Sequence, residues 1–180
     1  NTKDDKYAKL DENPLGKALE SYKKALEFDS KTDYSKKEFY GDIIGKLDGQ
    51  YRTFFDSAIS KYNKKSYEAA MINFGKSAEV LETVNITDTL SLLNGALCAG
   101  LANDREAAKG FYLKLLKGNY KSSNLYGSLS DIYLKDKDST NAFKYIRMGL
   151  KEYPNNMSLF NGEINIYLTY NIVDKAMSNL

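Results

Sequence analysis

The chain has 180 residues, of which 42% are hydrophobic and 28% charged, with 26 basic and 24 acidic side chains and a net charge of +2. That size allows one domain or several stacked repeats, and the interspersed charge lacks the basic stripe a nucleic-acid binder needs. Histidine is missing, which excludes histidine general-base chemistry and the commonest transition-metal ligand, and a single cysteine, Cys98, excludes an internal disulfide.

With only two prolines and abundant Ala, Leu, Lys, Glu and Tyr, the composition favours helix. Residues 1–30 read as an incomplete first unit, with a turn at Asp11-Glu12-Asn13-Pro14 and a helix carrying Ala18, Tyr22 and Ala25. Residues 35–84 follow. From about Ser35 to Tyr62 they read as one lengthened helix, then a break at Asn63-Lys64-Lys65 and a second helix carrying Tyr67, Ala70, Phe74 and Ser77. Gly41, Gly45 and Gly49 lie four apart in the lengthened helix. In an apolar segment that spacing marks membrane-helix association, but Asp42, Lys46 and Asp48 interrupt it, so close packing against a neighbouring helix is expected.

Residues 88–120 and 122–155 read as two further helix pairs. Breaks at Asn103-Asp104 and Lys135-Asp136-Lys137-Asp138 divide the pairs internally, and Leu116-Lys117-Gly118-Asn119 and Tyr153-Pro154-Asn155-Asn156 end them. Ser122, Asp138 and either Asn155 or Asn156 are the expected N-caps. Residues 156–180 open a fifth pair, broken near Asn171 and incomplete at Leu180.

The last three pairs share one register. Leu92, Tyr126 and Phe160 lead them, and Ala108, Ala142 and Ala176 recur at a period of 34 residues. Small residues (Gly95, Ala96, Ala99, Ser130, Gly149) alternate with large ones (Phe74, Tyr112, Tyr133, Phe160, Tyr167) at fixed offsets. This pattern resembles the tetratricopeptide repeat family over nearly the whole chain. Two departures stand out: the family's helix-ending proline survives only at Pro154, and its usual first-helix tryptophan is replaced by Phe55, Leu92, Tyr126 and Phe160. The resemblance implies an all-α, right-handed α-solenoid of about five antiparallel helix pairs, forming a single repeat domain over residues 1–180. A pair of this size cannot bury its apolar face alone, so stacked neighbours must supply the stability.

Little chemistry is legible. Asp136-Lys137-Asp138 begins like a calcium loop, but the sixth and twelfth places hold Asn141 and Arg147 instead of Gly and Glu. Gly41 to Lys46 has the wrong spacing for a phosphate loop. Asn85-Ile86-Thr87 has the pattern of a glycosylation sequon and fits equally a loop before a helix near Asp88. No carboxylate pair stands in an apolar run that would suit acid–base work. No catalytic residue, metal ligand or cofactor is expected. Cys98, set among Gly95, Ala96, Leu97 and Ala99, reads as a buried structural thiol.

The resemblance also implies a concave surface lined by the first helix of each pair and holding a peptide or a partner's segment. In this register the lining is Thr53, Asp56 and Ser60; Leu90, Leu93, Asn94 and Leu97; Asn124, Ser128 and Asp131; Ser158, Asn161 and Asn165. Some family members grip a terminal carboxylate there with Lys and Arg, which this lining lacks. Asparagine instead matches main-chain amides, offering both donor and acceptor, although the same side chains also suit plain solvated surface. Leu90, Leu93 and Leu97 form either an apolar seat for a ligand or a face packed on the lengthened helix.

The expected function is a non-catalytic adaptor binding a protein or peptide partner. The alternative is a glycan-binding module or a structural part of a cell-envelope assembly. No membrane-spanning segment is expected, since no run approaches ~20 apolar residues. Opening on Asn1 instead of Met fits processing or trimming, with an exported or envelope location favoured. Because the last repeat lacks a polar capping helix, a continuing chain or self-association at that end is expected.

Overall fold

A computed structural model describes residues 14–29 and 40–172, and every regular element among them is helical. The order is α1 (Pro14–Asp29), α2 (Tyr40–Asn63), α3 (Tyr67–Glu82), α4 (Thr89–Leu101), α5 (Arg105–Lys117), α6 (Ser123–Lys135), α7 (Ser139–Glu152) and α8 (Met157–Thr169). The 34-residue period is visible in the elements themselves: α4, α6 and α8 begin at 89, 123 and 157, and α5 and α7 at 105 and 139. The expected turn at Asp11-Glu12-Asn13, the expected start of the lengthened helix at 35–39 and the expected second helix of the fifth pair, carrying Ala176, lie outside the described residues.

The turns repeat as well. Lys65, Asn103, Lys137 and Asn171 adopt left-handed backbone with φ of 60°, 58°, 61° and 56°, and Asn85 and Asn119 do so between pairs. Asparagine tolerates this region, whereas the two lysines enter it at a steric cost. Each turn is closed by an amide reaching back five residues, as in Asp104 N–H to the Ala99 carbonyl, Asp138 N–H to Tyr133 and Ile172 N–H to Tyr167. That bond ties off a helix C-terminus. The expected caps are in place: the side-chain oxygens of Ser122, Asp138 and Asn156 accept from the amides of Leu125, Asn141 and Leu159. Asp104 and Asp88 cap in the same way, accepting from Ala107 and Ser91. Neither was expected from sequence.

The chain divides into two compact units, residues 1–91 and 92–180. In the first, α1 packs on α2 and α2 lies along α3. Leu19, Ile43, Leu47 and Val80 form a buried cluster, with Tyr22, Leu26, Tyr51 and Phe54 against it. Further along, Ala58, Ala70 and Phe74 are buried, and Phe74 meets Phe55 edge-on at 5.6 Å. The glycines of α2 are a correction. Gly41, Gly45 and Gly49 are exposed, and no described atom stands within 4 Å of where a Cβ would sit on any of them. Among the described residues no helix approaches closely at these glycines, because α2 packs through Ile43 and Leu47 on its inner face and turns the glycines outward.

In the second unit, α6 packs against α5 and α7, and α8 against both α6 and α7. Turns of three residues between α4 and α5, and between α6 and α7, make the helices of each pair antiparallel neighbours. Leu115, Leu125, Tyr126, Leu129, Ile146, Leu159 and Ile166 are buried almost completely. Each such side chain contributes about 1.5–3 kcal/mol relative to exposure. The small residues let the helices approach: a Cβ on Gly149 would lie 2.8 Å from the Tyr126 Cβ and 3.0 Å from a Leu159 methyl. Ala142 is fully buried, and its carbonyl accepts a 2.9 Å bond from the Ser130 hydroxyl, tying α6 to α7.

Candidate partner-binding surface

Each first helix of the second unit presents one buried and one open face. On α6, Leu125, Tyr126, Leu129, Ser130 and Ile132 are buried, while Asn124 and Asp131 are exposed and Ser128 is half-buried. On α8, Leu159, Glu163, Ile166 and Tyr167 are buried, whereas Ser158, Asn161 and Asn165 are exposed. Along α4 from Leu92, the small residues Ala96, Cys98 and Ala99 are buried, Leu93 and Asn94 half-buried, and Leu97 is 49% exposed. Leu97, Asp131 and Asn165 therefore hold one repeating surface position, and Asn94 and Ser128 another. In the first unit, Thr53, Asp56 and Ser60 are exposed on α2 and Leu90 is 55% exposed at the start of α4. The Thr53 hydroxyl is spent on the Gly49 carbonyl at 2.8 Å.

A cleft of about 490 Å³ opens beside this surface in the second unit. Its lining includes Ala96 and the exposed Gly100 from α4, Ala108 and Tyr112 from α5, and Ile132 from α6. Asn103, Arg105, Ser128, Asp131 and Lys135 make the rim. Ser128 and Asp131 were legible as surface residues; Gly100, Arg105 and Lys135 were not. The available signal was the repeat itself, because Gly100 stands one period before Leu134, a small residue where the next pair has a large one.

Charges at the rim are paired. Lys135 Nζ lies 2.7 Å from Asp131, and Arg105 lies 3.5 Å from Asp136. Asp136 also meets Lys109 at 3.3 Å, and Lys109 bonds Glu106 at 2.6 Å while lying 5.3 Å from the centre of the Tyr133 ring. The hydrogen bond that Lys109 donates to Glu106 is the main reason the Lys109 ammonium is held above its ordinary value. Asp136 and Asp138 are thus engaged in ion pairing and helix capping, which leaves the calcium-loop pattern without its leading carboxylates.

Two buried carboxylates escaped the sequence reading. Glu163 on α8 accepts from Arg147 Nε at 3.1 Å, and the Tyr167 hydroxyl lies 3.4 Å from the same oxygen and 3.0 Å from the Arg147 guanidinium. In the first unit, Asp88 is buried beside Ser91 and Ser77, whose hydroxyls bond at 3.1 Å. Burial, followed by the Asp88 charge, pushes the Tyr51 phenol up. Cys98 is fully buried, and that burial raises its thiol above the ordinary value. Among the described residues no three His, Cys, Asp or Glu side chains gather as a metal site, and no helix is long and apolar enough to cross a membrane.

The fold and surface together define an all-α protein of repeated helix pairs. In comparison with known proteins, no family model matches the sequence, and no curated protein matches it significantly.

Proposed function

We propose that this chain is a tetratricopeptide-like repeat protein, its pairs stacked as a right-handed solenoid, that binds a peptide segment or partner domain of another protein without catalysing a reaction. One observation carries the reading. Asn124, Asp131, Asn161 and Asn165 all stand exposed on the open face of first helices whose other face is filled with core. An extended peptide could satisfy its main-chain amides on those asparagines. Surface asparagines add nothing to the core, so replacing them tests binding without threatening the fold.

The test is affinity capture from fractionated source cells, using the wild-type chain beside the triple variant Asn124→Asp, Asn161→Asp, Asn165→Asp. Captured proteins are identified by mass spectrometry, and helix content is checked by circular dichroism. The expected result is a partner held by the wild type and lost by the folded variant. A partner held equally by both would move the binding surface off the first helices.

A further inference from the structure

The cleft in the second unit interrupts an otherwise regular repeat. Ala96 and Gly100 stand one period before Ser130 and Leu134. In the later pair Ser130 bonds across to α7 and Leu134 is half-buried, so side chains fill the corresponding places. In the earlier pair a Cβ on Gly100 would meet no described atom within 4 Å. Gly100 lacks the four-carbon side chain that Leu134 carries at that place. The rim departs from the period in the same place: Arg105, Asp131 and Lys135 are followed one period later by Ser139, Asn165 and Thr169, none of them charged. Two cations face one carboxylate among the lining residues; Lys135 is paired with Asp131 and Arg105 with Asp136, and such surface pairs contribute little that a ligand could not replace.

We propose that this cleft is the specificity pocket of the partner-binding surface, seating one leucine-sized aliphatic side chain of an extended segment whose neighbouring residue is acidic. The aliphatic group takes the place that Leu134 fills in the next pair, over Ala96, Ala108, Tyr112 and Ile132. The acidic neighbour meets the rim that carries Arg105 and Lys135. The inference rests on the adaptor reading and gives that surface a ligand chemistry.

The test titrates the ¹⁵N-labelled full chain with N-acetyl-Leu-Glu-amide, N-acetyl-Leu-Lys-amide and N-acetyl-Ala-Glu-amide, reading amide shifts. The Leu-Glu probe is expected to shift Gly100, Ala108, Ser128 and Asp131 and to bind about tenfold more tightly than the Ala-Glu probe. Gly100→Leu, which puts the missing side chain into open space, should abolish those shifts while leaving the rest of the spectrum in place. Arg105→Ser with Lys135→Thr, the residues of the next period, should erase the preference for Leu-Glu over Leu-Lys. Shifts that survive Gly100→Leu, shifts scattered away from the cleft, or equal binding of the acidic and basic probes would each overturn the proposal. If a captured partner is lost by the asparagine variant yet kept by Gly100→Leu, the pocket is wrong and the adaptor reading stands. If both variants keep it, the pocket is wrong and the binding surface lies off the first helices; if the wild type captures no partner, the adaptor reading itself fails.

Discussion

Asp104 and Asp138 each serve two helices at once. The amide of each closes the preceding helix, and the carboxylate of each caps the following one. A three-residue turn can therefore satisfy both helix ends without further side chains. At Asp138 the Asn141 amide, followed by the Asn141 side chain, holds the carboxyl below its ordinary value. Because the folded value is the lower one, this contribution is present above the unfolded value and lost as pH falls through the folded one. Between about pH 5 and about pH 3 the urea midpoint of the wild type should fall further than that of Asp138→Asn, which keeps a capping oxygen but has no charge to lose. Parallel curves would remove Asp138 from the account. Glycine substitutions test the packing in both directions. Gly149→Ala, meeting Tyr126 and Leu159, should destabilise by about 1–3 kcal/mol. Gly110→Ala, exposed on α5 with open space around its Cβ, should stabilise by about 0.5–1 kcal/mol. Chemical unfolding of the two variants checks both signs.

Among the elements, the junction of α7 with α8 differs from the one before it. Arg147 and Glu163 stand one period after Leu113 and Leu129, so a charged pair replaces an apolar one. The Arg147 guanidinium also lies 4.8 Å from the centre of the Phe143 ring. Arg147→Leu leaves a buried carboxylate short of its donor and should cost roughly 1–3 kcal/mol in an unfolding titration. Adding Glu163→Leu, which restores the earlier pair's leucines, should recover most of that loss. A double variant no better than Arg147→Leu alone would mean that the site cannot accept the earlier packing. Helix boundaries, turns and three of the caps were legible because each rests on local spacing. Asn103, Lys137 and Asn171 recur at one place in the period, and so do the buried Ala108 and Ala142. The partnership of Arg147, Glu163 and Tyr167 was not, because a buried glutamate on an amphipathic helix looks like any surface acid until its neighbour is placed. The glycines of α2 misled for a related reason: regular spacing shows that residues share a face, but not which way the face points.

For the molecule as a whole, the repeat in the sequence and the repeat in the elements agree over α4 to α8, while the chain divides at Ser91 into units that the period alone did not separate. The candidate surface was legible to the extent that it follows from periodicity: Asn124, Asp131, Asn161 and Asn165 were read as outward residues and stand exposed. The cleft was hidden because it depends on what Gly100 lacks, and an open volume becomes visible only when α4, α5 and α6 are set around it. The adaptor reading places recognition on the open faces of the first helices, whose opposite faces join the second helices in the core. Hydrogen–deuterium exchange of the chain, with and without a captured partner, tests it most directly. On this reading, added protection is expected in α6, α8, the part of α4 from Leu92 onward and the cleft-lining part of α5 from Arg105 to Tyr112, with α7 little changed. Protection gained chiefly in α5 and α7, with the first helices unaltered, would contradict it.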